Sequence, residues 1–321
     1  MRRARFIRIL GAAAGSLAYG GVRAQGAAEV KFTTSYPVGT GPDAVTRVLA
    51  EKLQGILKQA VVIENKPGGA GIIAVEAAKR APPTGSEFLI ADFGSLSVNP
   101  SIYRRLPYDV ERDFAPVSLL CKASFFITVS ANGPYQSLKD LLDAAQKKEL
   151  SYASNGVGGP LHLGGAEMAF ATKRNMLHVA YRELNGMLAA VANGDVDFMF
   201  STIGSVGPLL KAGKLRLLAL ADSRRLPSSP DVPTIAEAGG PKDVKVETWM
   251  ALMAPAGTPE ALIANMKRAT SAALALPDVQ QRLDILGFTP VGSTPEDLAA
   301  VIRNDRLKYA AVIKRLGAYV D

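Results

Sequence analysis

The stretch Tyr36-Pro37-Val38-Gly39-Thr40-Gly41-Pro42-Asp43-Ala44-Val45-Thr46-Arg47 decides how this chain is read. Before it runs Val30-Lys31-Phe32-Thr33-Thr34-Ser35, whose alternation is that of a strand. After it, Val45, Val48, Leu49, Leu53, Ile56 and Leu57 recur at helical spacing, which predicts a helix over 44–57. Two glycines, two prolines and Asp43, in the place of an N-cap, lie between them. A strand, a glycine turn and a helix start aim several backbone N–H groups at one point. The helix dipole adds partial positive charge there, so the turn suits an anion. In isolation such a stretch is simply a capped βα connection. It gains weight because the chain carries a second of the same character.

That second turn is Ser154-Asn155-Gly156-Val157-Gly158-Gly159-Pro160, between a predicted strand over 151–153 and a helix from Leu161. It repeats the chemistry of the first: hydroxyl and amide side chains, N–H groups and a helix N-terminus. A third turn, Asp92-Phe93-Gly94-Ser95-Leu96-Ser97, follows a predicted strand over 88–91 and lines the same expected cleft.

Between these turns the chain alternates strand-like and helix-like segments. Further strands are expected at 61–63, 117–121, 125–129, 177–180, 197–200, 215–220 and 250–253, and helices at 72–80, 138–147, 161–171, 187–192, 206–212, 259–276, 279–286 and 295–316. This is an α/β pattern with largely parallel sheets. Its length suggests two domains. No Gly/Ser/Pro linker separates them, so the boundaries are placed where extended segments cross between lobes, near 125–129 and 245–249. Residues 25–127 and 248–321 then form a discontinuous first lobe and 128–247 an inserted second lobe, with a ligand cleft between them.

The amino terminus sets the compartment. Arg2, Arg3, Arg5 and Arg8 precede an apolar, small-residue run over 9–21, and Val22-Arg23-Ala24 offers a cleavage site. We read residues 1–24 as a secretory signal cleaved after Ala24. Phe6 stands one place too far along for a twin-arginine motif, which favours the general secretory route. Losing Arg2, Arg3, Arg5, Arg8 and Arg23 and no acids takes the formal charge from +8 to +3, so the basic balance does not argue for nucleic acid. The sole cysteine, Cys121, permits no internal disulfide and falls in an apolar run, so a buried strand position is expected. A mature chain of roughly 300 residues buries about three quarters of its unfolded surface, enough for a core without staples.

Candidate chemistry is sparse. His162 follows the second turn and is placed either to donate to a ligand or to cap and pack; His178, in an apolar run, reads as structural. Neither has a metal-spaced partner. Ser154, His162 and Asp195 offer the residue types of a hydrolytic triad, but no Gly-x-Ser-x-Gly elbow frames the serine. Gly69-Ala70-Gly71-Ile72-Ile73-Ala74 fits the dinucleotide pattern Gly-x-Gly-x-x-Ala. Pro67 interrupts its geometry, and close helix–sheet packing explains the glycines as well. No cofactor is expected.

Taken together, the motifs resemble the Bug-type extracytoplasmic solute-binding receptors of tripartite tricarboxylate transport systems. The anchors are Tyr36-Pro37-x-Gly39-x-x-x-Asp43, Glu64-Asn65-Lys66-Pro67-Gly68 with Gly71, Tyr152-x-Ser154-x-Gly156-x-Gly158, His162-Leu163, His178-Val179-x-Tyr181 and Gly194-x-Val196-Asp197. Ala212-Gly213-Lys214-Leu215-Arg216, the run from Pro230 to Gly239, and Ala254-Pro255-Ala256-Gly257-Thr258-Pro259 extend the likeness over the mature chain. The resemblance implies a two-lobed, type 2-like periplasmic binding protein that closes by a hinge on a small carboxylate. That carboxylate is a mono-, di- or tricarboxylate, an amino acid or an aromatic acid, held through backbone groups and hydroxyls rather than an arginine clamp. Carried over by position, Tyr36, Val38, Gly39 and Thr40 meet the proximal carboxylate from one lobe. Ser154, Asn155, Gly156, Gly158 and Gly159 meet it from the other. His162, Tyr181, Ser201 and Thr202 are assigned to the distal part, with Phe93 and Ser95 on the wall.

The chain departs from the family pattern near the cleft. Thr40 stands where a second glycine is common, and Ala180 replaces the usual proline. Arg182-Glu183 replace Lys-Gly, and Gly159-Pro160 occupy the place of a frequent serine. The expected product is a periplasmic monomer, not an enzyme, that hands its ligand to the membrane subunits of a tripartite transporter. A periplasmic sensor or adaptor reporting to a kinase is the alternative; a secreted serine-type hydrolase ranks third.

Overall fold

The computed structural model describes residues 29–320; the expected signal segment and its cleavage site lie outside the described residues. The described chain first runs β1 (Val30–Thr34), α1 (Gly41–Leu57), β2 (Val61–Asn65), α2 (Ile72–Lys79), β3 (Glu87–Asp92), a π-helical turn (Gly94–Val98), α3 (Asn99–Ile102), α4 (Val110–Asp113) and β4 (Phe114–Ser124). A second unit follows: β5 (Phe126–Ser130), α5 (Leu138–Ala145), β6 (Leu150–Ser154), α6 (Pro160–Thr172), β7 (Met176–Ala180), α7 (Leu184–Asn193), β8 (Phe198–Ser201), α8 (Ile203–Lys211) and β9 (Leu215–Leu220). The chain then returns through β10 (Glu247–Pro255), α9 (Glu260–Leu274), α10 (Pro277–Ile285), β11 (Thr289–Pro290) and α11 (Pro295–Leu316).

These strands form two sheets and hence two lobes. One is six-stranded, in the order β11-β4-β10-β3-β1-β2; the other is five-stranded, in the order β7-β6-β8-β5-β9. β1 is parallel to β2 and β3, and β6 is parallel to β7 and β8, as helix crossovers require. β10 runs antiparallel to β3 and β4, and β5 antiparallel to β8 and β9. The sheets are therefore more mixed than helix–strand alternation suggests. β5 and β10 each enter from the other lobe, so no βαβ crossover dictates their direction. They are joined at the crossing: Phe125 N–H donates to Val246 O at 3.2 Å, Val246 N–H to Ala221 O at 3.0 Å, and Ala221 N–H to Phe125 O at 2.8 Å.

Each sheet is apolar on both faces. Val45, Leu49 and Leu53 of α1 and Met266 of α9 cover one side of the six-stranded sheet; Ala74 and Val75 of α2 and Leu298 and Ile302 of α11 cover the other. Cys121 is fully buried on β4, and burial pushes its thiol up. Trp249 is fully buried on β10; its Nε1 donates to Asp305 Oδ2 at 2.7 Å and Phe93 stands edge-on to its ring. In the five-stranded lobe Leu138, Tyr152 and Phe198 pack on one face and Met187, Val191 and Met199 on the other.

Candidate functional site

Parallel neighbours end at the same edge of a sheet, so their following loops gather there. In the six-stranded sheet Thr34 of β1 pairs with Ile90 of β3, which brings the turns after both strands together. A Cβ built on Gly71 would stand 3.2 Å from Ser95 Cβ and 3.6 Å from Ser35 Cβ, so the Gly69–Gly71 turn wedges between them. In the other sheet β6 lies between β7 and β8. Ser154, Tyr181, Ser201 and Thr202 therefore share one carboxyl edge.

The first turn is tied down from within. Thr40, not Asp43, is the N-cap of α1: its hydroxyl accepts from Asp43 N–H at 3.4 Å. Pro42 fits the first helical turn, where no N–H is required, so the helix starts ahead of the expected Ala44. Asp43 is buried and accepts from Gly39 N–H at 2.9 Å, Arg47 Nε at 2.9 Å and Asn65 Nδ2 at 2.8 Å. Burial pushes its carboxyl up, but Arg47, the Gly39 amide and Asn65 together hold it below the usual range. Tyr36 is buried, and burial followed by the nearby Asp92 charge pushes its hydroxyl well up. Val38 is exposed, and its amide finds no acceptor among the described residues.

The turn after β3 is organised by Asp92. Its Oδ1 accepts from both Ser95 N–H and Ser95 Oγ at 2.8 Å, and Ser95 O accepts from Tyr108 Oη at 2.6 Å. Ser95 is fully buried, and Phe93 packs edge-on against Tyr309.

The turn after β6 rests on a histidine stack. Ser154 Oγ lies 2.6 Å from His178 Nε2 and accepts from Gly156 N–H at 3.1 Å. His162 Nδ1 accepts from Gly158 N–H at 3.2 Å, which requires a neutral ring there. The two imidazoles stand 4.3 Å apart, and Tyr152 stacks on both. Burial, then the neighbouring His178, pushes His162 down to about 4; burial also lowers His178. His162 thus braces the turn, and Ser154 meets His178 inside the lobe instead of forming a triad with His162. Among the described residues the amides of Asn155, Val157 and Gly159 find no internal acceptor.

Between the two lobes lies a cavity of about 360 Å³. Asn155, Gly156, Val157, Gly158, Gly159 and Pro160 form one wall; Asp92, Phe93, Gly94, Asn99, Ile102 and Tyr103 form the other. The lobes meet at its rim, where a Cβ on Gly158 would stand 2.5 Å from Ile102 Cδ1. Of the residues assigned from the sequence, Phe93, Asn155, Gly156, Gly158 and Gly159 line this space. Tyr36, Val38, Gly39 and Thr40 follow β1 at the same sheet edge outside its lining, where Gly71 stands against Ser35 and Ser95. Ser95, Ser154 and His162 lie directly beneath the walls. Ser201 is buried, with its Oγ 2.6 Å from Thr128 Oγ1, and Thr202 precedes α8 and donates to Ser205 Oγ at 3.2 Å. Tyr181 follows β7, its N–H donating to Ser154 O at 2.8 Å. Asp92 belongs to the third turn expected along the cleft but carries no assigned contact, and Asn99 and Tyr103 lie outside the sequence assignment. The acid opening the third turn was the available signal, whereas α3 is too short to show a period.

A family model described as "Tripartite tricarboxylate transporter family receptor" matches residues 45–318. The chain belongs to this family. Three solved structures of similar proteins bear on this receptor. A periplasmic binding protein, BugD, is 28% identical with a TM-score of 0.76, covering 91% of this chain and 98% of its own. Rpa4515 of R. palustris with adipate is 28% identical with a TM-score of 0.79, covering 90% and 97%. MatC of Rhodopseudomonas palustris with bound malate is 28% identical with a TM-score of 0.74, covering 89% and 98%. This receptor has the two-lobed periplasmic binding protein fold, is a periplasmic protein, and is a solute-binding protein, not an enzyme.

Proposed function

We propose that this receptor captures a small carboxylate between its lobes and delivers it to the membrane subunits of a tripartite transporter. The observation that carries the reading is the turn 154–160, which presents the unpartnered amides of Asn155, Val157 and Gly159 at the start of α6 to a cavity between the lobes. Helix starts with unpaired N–H groups favour anions. Adipate and malate in two similar proteins give the same chemistry a precedent. The assigned contacts are Asn155, Gly156, Gly158 and Gly159 from the second lobe, with Ser154, His162, Tyr181, Ser201 and Thr202 supporting that edge. Tyr36, Val38, Gly39, Thr40, Phe93 and Ser95 complete the set from the first.

The mechanism is capture by closure. The six-stranded and five-stranded lobes move as two bodies about the crossing segments hydrogen-bonded at Phe125 and Val246. The carboxylate stabilises the closed arrangement by contacts that the open one lacks. The receptor acts as a monomer after export through its amino-terminal signal. Calorimetry with thermal shift against mono-, di- and tricarboxylates, amino acids and aromatic acids tests the reading. A ligand at a hundred times its Kd stabilises the fold by about 2.7 kcal/mol, a clear shift. Silence across all these acids overturns it.

A further inference from the structure

We infer that the ligand is a zwitterion, a carboxylic acid that also carries a protonated amine, with the ammonium group against Asp92 and Asn99. The inference deepens the carboxylate reading above and rests on it. Among the described residues lining the cavity there is one acid, Asp92, and no Lys, Arg or His. A site evolved to hold two carboxylates gains nothing from a formal negative charge in its wall.

The hydrogen bonds sharpen this. Asp92 Oδ1 is taken by the Ser95 amide and hydroxyl, and Oδ2 has no donor among the described residues. One carboxylate oxygen therefore shapes the turn while the other is left for whatever fills the space. Asn99, only 4% exposed, is oriented by its own donors: Nδ2 gives to Ala70 O at 2.9 Å and to Tyr108 Oη at 3.2 Å. That fixes which end of the amide is which and leaves Asn99 Oδ1 without a donor among the described residues. Two acceptors on one wall thus lack hydrogens, and an ammonium group supplies three N–H donors with a complementary charge. A plain diacid supplies none and sets a like charge beside Asp92.

The opposite wall carries no acid among the described residues. Asn155, Val157 and Gly159 offer unpartnered amide donors at the start of α6. The cavity thus sets Asp92 Oδ2, from the one acid among the described lining residues, and Asn99 Oδ1 across from the amides of the five-stranded lobe. A volume of about 360 Å³ suits a small molecule spanning both walls. An amino acid can bridge these walls with opposite charges, and closure then brings each charge to its complement.

The test is calorimetry on the purified receptor with pairs that differ by one amine: succinate and aspartate, glutarate and glutamate, adipate and 2-aminoadipate, butyrate and 4-aminobutyrate. At least one amine-bearing member is expected to bind about tenfold or more tighter than its partner. Asp92→Asn keeps an oxygen for the Ser95 donors and removes the charge, and is expected to erase most of that preference. The inference is overturned if the amine-free acids bind equally or more tightly, or if the preference survives Asp92→Asn. Should that variant fail to fold, the wild-type pairs decide alone. Binding of the plain acids without their amino counterparts leaves the receptor reading standing and sinks only this one. Silence from every probe overturns this inference and leaves the carboxylate reading to the wider screen of tricarboxylates and aromatic acids.

Discussion

Gly159 shows how one residue separates folding from capture. It is the N-cap of α6 with an extended backbone, φ −72°, so a side chain introduces no strain. Gly159→Asp is expected to stabilise the helix start by about a few tenths of a kcal/mol, as acidic caps do relative to glycine. The same carboxylate then occupies the place proposed for the ligand's own. Thermal melting should be unchanged or slightly raised, while calorimetric affinity falls at least about tenfold, roughly 1.4 kcal/mol. Unchanged affinity would move the anion site elsewhere. His162 makes the second prediction at this scale. Folded, it takes a proton only near pH 4, against 6.5 ordinarily, because it is buried and faces His178. Between those values the unfolded chain holds more protons, so stability declines as the solution is acidified from about 6.5 toward 4. His162→Asn, whose amide oxygen can still accept from Gly158 N–H, should flatten that decline in a melting-temperature series across pH. His178, lowered in the same direction, accounts for what slope remains.

At the scale of elements, α1 depends on the network around Asp43. Asp43→Ala strands the Gly39 amide and Asn65 Nδ2, and since Arg47 is half exposed the loss is expected at about 1–3 kcal/mol in denaturant unfolding. Asp43 also carries a pH signature. Its carboxyl is held low in the fold, so its contribution is present above the ordinary carboxylate range and is lost as pH falls through the depressed folded value. The gap in melting temperature between wild type and Asp43→Asn should therefore narrow on acidification below about 4. These elements also show what the sequence makes legible. Long periodic helices such as α1, α9 and α11, and the apolar strands β3, β4 and β8, announce themselves by period and burial. α3, α4 and the two-residue β11 are shorter than any period and stay hidden. The expected cap at Asp43 proved to be Thr40, because a capping pair places its acid three residues into the helix and either residue type fits the cap. The glycine turn 154–160 was visible as a cavity wall because bare amides need glycine-rich sequence. Asp92 is legible as the acid that opens the third turn, whereas Asn99 joins the site only through tertiary pairing, which no local pattern encodes.

At the scale of the whole molecule, the lobes touch at sites remote from the cavity wall. Lys308 of α11 lies 2.9 Å from Glu167 of α6, and the Arg315 guanidinium sits over the Phe170 ring. Gly204, at the start of α8, packs on the turn after α10, where an added Cβ would come within 2.7 Å of Leu286 O. Backbone cannot yield as a side-chain tip can, so Gly204→Ala is expected to push the lobes apart. Small-angle scattering should report a larger radius of gyration. Apparent ligand affinity should drop about tenfold if closure becomes about 1.4 kcal/mol harder, although no ligand contact changes. An identical scattering profile and affinity would show that this contact does not govern closure. The solitary, deeply buried Cys121 has a practical consequence at this scale. Because the native thiol is shielded, a thiol introduced at the exposed rim residue Val157 can be labelled selectively with an environment-sensitive fluorophore. The receptor then becomes its own optical reporter, able to identify its cargo from a metabolite library without a transporter in the assay.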